Sequence, residues 1–543
     1  MLLLSQHCLK RSVKVTMNQA KYLKATFDVN DYNTINEGKA RILTPKEDKV
    51  FYNPIQQFNR DLSITCIRAW SELFQKPDRG LDDNKKRRVE PFITILEALS
   101  ATGLRAIRYG HEIPLVKNVV ANDLLADAVK SIDRNIIYND LDLKVTSNEG
   151  DAIKFMSQSN EKFNVIDLDP YGTAAPFIDS AIQAIKDNGI LLVTCTDAGV
   201  LAGSGYPEKC FALYGGNNFG NTFMGGEANH EVGLRLILNM IASTAAKYKK
   251  TIEPLLSLSI DFYFRLIIRV KTSPLEVKKL ASKTMISYHC IGCGQKLIQP
   301  LGRINGKKFQ TPKLVSNISG QCGFCESNFN IGGPMWLGNL HDKDFINDVL
   351  RINETNDVVT YGTKERIKGM LTVAKNELQE PFYFNLNQLS SFFKAPPIPI
   401  NDFVRALGNL NYEVSLTHAK KNCIKTNAPW IDIFQINKQW LINNNQKTLE
   451  SLKNRDDRYD DQKVETKIKQ LEKDIDLSPN LTPNMIGYKI LMKLREIKDP
   501  ITVNFTNDNE ASKNVESLRK LKIVRYQENP TKNWGPKSRP SES

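Results

Sequence analysis

Between Pro91 and Thr194 the chain alternates short apolar runs with amphipathic stretches, and that rhythm admits few folds. Residues 92–99 form an apolar, strand-like run, and 104–109 read as helical. Residues 118–122 read as a strand, 124–138 as a helix and 144–147 as the next short strand. The series continues with 163–168, a helix over 176–186, and a strand over 189–194. Strands that alternate with helices in this way predict an α/β domain, Rossmann-like, with a mostly parallel sheet covered by helices on both faces. A later alternating segment, 259–270, predicts a strand that closes the same sheet. No apolar run approaches about 18 residues, so no membrane-spanning helix is expected.

The ends of these strands carry the chemistry. The first runs into Ser100-Ala-Thr-Gly103-Leu-Arg105, where a glycine at the strand-to-helix turn lets a ligand approach the backbone. Asp123 ends the next strand, where an acid can accept the two hydroxyls of a ribose. Asp151 follows the third strand, placed to meet an adenine amino group, with the Ala152 N–H facing a ring nitrogen. Together these residues describe an adenosine pocket. A dinucleotide would need a G-x-G-x-x-G cradle for its pyrophosphate, whereas this turn has one glycine followed by Arg105. A single cation suits the carboxylate of S-adenosyl-L-methionine better.

The fourth strand indicates the reaction. It ends Val165-Ile-Asp167-Leu-Asp169-Pro170-Tyr171-Gly172, which resembles the D/N-P-P-Y/F motif of amino-methyltransferases. An exocyclic base amine is a poor nucleophile because its lone pair delocalises into the ring. Hydrogen bonds from that amine to the Asp169 carboxylate and the Pro170 carbonyl favour a more tetrahedral nitrogen, with its lone pair aimed at a sulfonium methyl. Tyr171 would stack on the flipped base, although a single proline before it alters the aromatic's register. The bland alternative is an acidic turn that caps the following helix.

Four of the nine cysteines form two C-x-x-C pairs, Cys290 with Cys293 and Cys322 with Cys325. Four thiolates in paired knuckles predict one closed, structural Zn2+ site in a reducing compartment, with a redox pair as the alternative. The intervening loop is basic (Arg303, Lys307, Lys308, Lys313). A formal net charge of +14 points to an acidic partner. At the C-terminus seven basic and two acidic residues from Ser517 onward, interleaved with Tyr526 and Trp534, suit RNA phosphate contact and base stacking, or else a solvated tail. The first 28 residues hold Lys10, Arg11, Lys14, Lys21 and Lys24 with Asp28 as their only acid, which reads as a mitochondrial presequence or a basic RNA-touching arm. Met17 is a possible second start. The run Lys85-Lys86-Arg87-Arg88 is a solvated loop, a nuclear-import signal or an RNA contact.

With these residues in view, the chain resembles the eukaryotic, fungal tRNA (guanine-26 N2) dimethyltransferase family. The resemblance runs through Phe51-Tyr-Asn-Pro-Ile-Gln-Gln-Phe-Asn-Arg60-Asp and Leu96-Glu-Ala-Leu-Ser-Ala-Thr-Gly-Leu-Arg-Ala-Ile-Arg-Tyr109. It extends through Ile166-Asp-Leu-Asp-Pro-Tyr-Gly-Thr173, Gly205-Tyr-Pro-Glu-Lys-Cys-Phe-Ala-Leu-Tyr-Gly-Gly216, the four cysteines and Arg525-Tyr-Gln-Glu-Asn-Pro-Thr-Lys-Asn-Trp-Gly-Pro536. It implies two methyl transfers from S-adenosyl-L-methionine to N2 of guanine 26 in tRNA, in nucleus and mitochondrion. It implies that Arg60, Arg105, Asp123, Asp151 and Ala152 hold the cofactor, that Asp169 serves the amine, and that Phe51 and Tyr171 sandwich the base. The expected organisation is a basic arm over 1–29 and a methyltransferase domain over 30–285. An α+β, tRNA-binding domain over 286–543 follows, with a zinc-ribbon-like module at about 288–330 and a charged insertion at about 443–476. No protein partner is identifiable. The rival classes are a DNA or small-molecule amino-methyltransferase, which has less use for the zinc module and the charge, and a non-catalytic RNA-binding protein, which has no use for the pocket.

Overall fold

A computed structural model describes residues 27–46, 52–73, 90–222, 224–314, 319–454 and 461–521. The first strands among the described residues form a hairpin, β1 (Tyr32–Glu37) and β2 (Ala40–Pro45), followed by helix α1 (Gln57–Leu73). The alternating region then folds as β3 (Ile93–Glu97), α2 (Leu104–Glu112), β4 (Val116–Asp123), α3 (Ala126–Tyr138), β5 (Val145–Glu149), α4 (Ala152–Gln158), β6 (Phe163–Leu168), α5 (Ile178–Ala184) and β7 (Ile185–Cys195). Residues 195–250, for which the sequence suggests no element, contain α6 (Pro207–Tyr214) and the long helix α7 (Gly225–Lys247). Strands β8 (Lys250–Ile260) and β9 (Tyr263–Thr272) complete a seven-stranded sheet of order β5-β4-β3-β6-β7-β9-β8. Its first five strands are parallel, β9 runs antiparallel to them, and β8, antiparallel to β9, runs in their direction again.

The expected single strand over 259–270 is two strands of a hairpin. Ile260 pairs with Tyr263 across Asp261 and Phe262, and Asp261 sits at φ 47°. Apolar residues lie on both sides of the turn, so the alternation carries through it without a polar break. Asp tolerates the left-handed conformation that the turn needs.

Helices cover both faces, as parallel strands require. On one side, Phe58, Leu62, Ile67 and Trp70 of α1 pack with β3, β4 and α2, and the outer surface of α1 is covered by α8 (Lys343–Thr355) and α9 (Lys364–Asn376). Because α1 is enclosed on all sides, its polar residues are bonded: Thr363 donates to Asp61 at 2.7 Å and Arg68 to Asn356 at 2.7 Å. On the other side, α5 and α7 pack against Leu191, Val193, Leu266 and Ile268. Each such fully buried apolar side chain contributes about 1.5–3 kcal/mol.

Edge strand β8 is closed by two imidazoles and one backbone N–H from further along the chain. His341 Nδ1 accepts the N–H of Ser257 at 3.4 Å, His418 Nε2 accepts that of Ser259 at 3.1 Å, and the Asp342 N–H donates to the Leu255 carbonyl at 3.0 Å. Behind the imidazoles, the buried Glu377 accepts from His418 Nδ1 at 2.6 Å and Lys425 Nζ at 3.0 Å. In the charged segment 443–476, the described residues continue the helix Trp430–Lys453 and add Asp461–Lys473, joined by Lys453–Glu472 at 2.6 Å.

Candidate active site

Parallel strands point the same way, so their C-terminal ends form one rim, and nearly all the expected pocket residues stand on it. At the end of β3, Gly103 adopts φ 79° and starts α2, a conformation that only glycine takes readily. The turn is tied to its neighbour: Ser100 N–H donates to the Asn122 carbonyl at 2.9 Å, and Ala101 N–H to Asp123 Oδ2 at 2.8 Å. The other oxygen of Asp123 accepts the Leu125 N–H at 3.1 Å, and Leu124 beside it is 67% exposed. Gly150 N–H donates to the Asp123 carbonyl at 2.9 Å, which joins the third strand end to the second. Asp151 caps α4, its Oδ1 accepting from Ile153 N at 2.7 Å and Lys154 N at 3.1 Å, while Oδ2 takes part in neither bond. Ala152 is the first residue of α4, so its N–H has no acceptor within the helix.

At the end of β6, Asp169 forms an ion pair with Arg105. The Arg105 guanidinium also lies 3.3 Å from Asp167, 3.7 Å from Glu97 and 3.4 Å from Asn59 Oδ1. It faces the carboxylates beneath the rim, and they raise its pKa against the effect of burial. Burial alone would raise Asp167, yet Arg265 at 2.8 Å and Arg105 hold it below the usual carboxylate range, and Tyr109 donates to it at 2.5 Å. Glu97, with Arg105 farther away, is pushed up to about 8 by burial. Pro170 is buried and Tyr171 is 50% exposed.

Arg60 belongs to a second array. Its Nε donates to Glu37 at 2.6 Å and its Nη2 to Glu37 and to the Asn53 carbonyl at 3.0 Å, while Arg108 joins Glu37, Asp61 and Glu112 at 2.7–2.9 Å. Phe51, the arm 1–26 and Lys85–Arg88 lie outside the described residues, as do Tyr526 and Trp534. Asp167, Tyr109 and Arg265 were not singled out from the sequence, although a charge inside an apolar run marks two of them. Asp167 lies within Val-Ile-Asp-Leu and Arg265 within Tyr-Phe-Arg-Leu-Ile-Ile, and buried charges in central strands need partners.

The four knuckle cysteines converge. Cys290 and Cys325 sulfurs are 3.4 Å apart, Cys293 and Cys322 3.6 Å, and all four lie within 4.8 Å of one another and are buried. A disulfide needs about 2.05 Å. A tetrahedron of thiolates at about 2.3 Å from zinc has edges near 3.8 Å, so the cluster fits a closed structural Zn2+. His289 beside it turns away to Thr222 at 2.8 Å and stacks on Phe219, so four sulfurs make up the donor set. The basic loop between the knuckles includes an exposed hairpin, Arg303–Asn305 paired with Lys308–Gln310.

The strand order, with β9 inserted antiparallel between β7 and β8, is that of a Rossmann-like S-adenosylmethionine-dependent methyltransferase. A family model described as N2,N2-dimethylguanosine tRNA methyltransferase matches residues 26–438, and the chain belongs to that family. It is 47% identical to the mitochondrial tRNA (guanine(26)-N(2))-dimethyltransferase of Saccharomyces cerevisiae, over 98% of this chain and 96% of that one. It is 41% identical to the tRNA (guanine(26)-N(2))-dimethyltransferase of Schizosaccharomyces pombe, over 93% and 92% of the two chains. Among solved structures, Trm1 from Pyrococcus horikoshii in complex with S-adenosyl-L-methionine aligns with a TM-score of 0.60 and 27% identity, covering 73% of this chain and 97% of that one.

Proposed function

We propose that this chain is a tRNA (guanine-26 N2) dimethyltransferase that uses S-adenosyl-L-methionine. The observation that carries the reading is Asp169-Pro170 at the end of β6, on the same rim as Asp123 and Asp151. Bound S-adenosyl-L-methionine supplies an electrophilic methyl on a sulfonium. Asp123 accepts the ribose hydroxyls, Asp151 Oδ2 the adenine amino group, and the Ala152 N–H donates to a ring nitrogen. Arg105 and Arg60 provide positive potential for the carboxylate, Arg105 while paired to Asp169 and Arg60 through Nη1, which Glu37 does not bind.

In the first round Asp169 and the Pro170 carbonyl accept the two N–H bonds of guanine N2 and orient its lone pair; in the second Asp169 accepts the one N–H that remains. Tyr171 and Phe51 stack on the flipped base, and Asp169 accepts the proton released as each N–C bond forms. Two rounds consume two methyl donors and release two protons. Transfer of tritiated methyl groups to tRNA, DNA and free guanosine tests the assignment: label on tRNA alone, lost when guanine 26 is replaced, is the expected result, and label on DNA or nucleoside overturns it.

The mitochondrial relative supports a mitochondrial role. Residues 1–16 act as the presequence and Lys85–Arg88 promote nuclear entry in this reading. Starting translation at Met17 is expected to abolish mitochondrial tRNA modification and leave nuclear modification intact.

A further inference from the structure

The segment Gly205–Gly216 has no part in the pocket described above, yet it ends against the reacting loop. Tyr214, the last residue of α6, is buried, and its hydroxyl lies 2.7 Å from Thr173 Oγ1 and 2.9 and 2.8 Å from the two carboxylate oxygens of Asp197. The directions of these bonds follow from chemistry. An ionised carboxylate only accepts, so the Tyr214 O–H donates to Asp197 and its lone pair accepts from the Thr173 O–H. Thr173 Oγ1 in turn accepts the Ala175 N–H at 3.1 Å.

A second clasp lies beside this relay. Gly172 N–H donates to Thr196 Oγ1 at 2.8 Å, and Thr196 N–H donates to the Gly172 carbonyl at 2.8 Å. Gly172 itself sits at φ 83°. The backbone on the C-terminal side of Tyr171 is therefore pinned to the end of β7, while Arg105 holds Asp169 on the N-terminal side. Tyr171 lies between two anchored points of the backbone.

We infer that Tyr214, through its hydrogen bonds to Thr173 and Asp197, is a positioning residue that sets the Asp169–Tyr171 loop for methyl transfer. This rests on the reading of Asp169 as the group that serves the amine. The helix α6 delivers one hydroxyl to the loop, and Gly215, at φ 69°, ends the helix just beyond it. A shift of the loop by about 1 Å is expected to cost on the order of 10²-fold in turnover, because reacting atoms must be in line.

The test compares Tyr214→Phe, Asp197→Asn, Asp197→Ala and Asp169→Ala in the full chain, with tRNA as substrate. Tyr214→Phe keeps the buried ring and removes the relay, so kcat is expected to fall by about tenfold or more while the Kd for S-adenosyl-L-methionine and the KM for tRNA stay within about twofold. Asn at 197 still accepts the tyrosine proton, so Asp197→Asn is expected to retain most of the rate that Asp197→Ala loses. An inactive Asp169→Ala together with a Tyr214→Phe of normal kcat overturns the inference and leaves the site reading standing. A loss in Tyr214→Phe that falls wholly on cofactor binding also overturns it. An active Asp169→Ala overturns the site reading itself.

Discussion

His418 Nε2 accepts the backbone N–H of Ser259 at 3.1 Å, so a side chain 159 residues away occupies a place on β8 that another strand would otherwise fill. Exposed edges invite pairing between molecules, and imidazole caps prevent it without adding a strand. His341 does the same for Ser257. Because these nitrogens act as acceptors, the caps work only while each imidazole keeps a lone pair on the nitrogen that faces β8.

That requirement makes the fold sensitive to acid. Burial, reinforced by His418, pushes His341 down to about 3 from an ordinary 6.5. A depressed histidine pKa means stability that is full above 6.5 and lost as pH falls toward 3, because the unfolded chain binds the proton first. The loss from His341 is expected to reach about 2 kcal/mol by pH 5. Urea midpoints measured from pH 8 to pH 5 check it, and His341→Gln is expected to flatten the slope.

Asp169→Ala is expected to abolish methyl transfer and leave the binding of S-adenosyl-L-methionine close to wild type, since no cofactor contact is assigned to it. Calorimetry alongside turnover separates the two effects. A near-normal rate removes Asp169 from the reaction.

Asp123→Ala acts on the other side of the pocket. It removes the acceptor proposed for the ribose and also frees the Ala101 N–H, bound at 2.8 Å. A charge-assisted bond is worth about 1.5–3 kcal/mol, so the Kd for S-adenosyl-L-methionine is expected to rise by roughly 10- to 100-fold. An unchanged Kd places the ribose elsewhere.

Arg265→Met leaves Asp167 buried with one of its two arginines gone. Breaking such a pair costs about 3–5 kcal/mol. Thermal unfolding is expected to show that loss, and adding Asp167→Asn is expected to recover part of it by removing the stranded charge.

One zinc per chain is expected by elemental analysis, falling below stoichiometry in Cys293→Ser. The cysteines share a buried cluster with Phe384, Phe403 and Phe434, so metal loss is expected to loosen that region first. Hydrogen exchange localises the effect: protection lost around Phe403 and Phe434 before β3–β6 is the expected pattern, and a uniform loss contradicts it.

The parallel half of the sheet and the residues on its rim were legible in the sequence because strand, turn and helix each left a local signature. Gly103, Asp123, Asp151 and Asp169 fall at strand ends that periodicity alone locates. The partners of those residues were not legible, because they come from distant segments. The pairing of Arg105 with Asp169 and Asp167 depends on which way a long side chain turns, and the Glu37–Arg60–Arg108 array needs a hairpin, α1 and α2 brought together. The β8–β9 turn was hidden by unbroken alternation. Tyr214 was visible only as part of a quoted motif, since nothing local links it to Thr173.

The enclosure of α1 by residues 343–376 bears on how the protein is made. A ribosome releases α1 early, but the surface it turns to α8 and α9 lacks its cover until some three hundred further residues have emerged. At about 5–20 residues per second that interval lasts roughly 15–60 s. Throughout it, a helix that ends up enclosed on all sides has an apolar surface facing water or a chaperone. Synthesis speed between α1 and α9 therefore sets how long the nascent catalytic core stays open to aggregation, and an internal stall after β9 would be more damaging than one near the C-terminus.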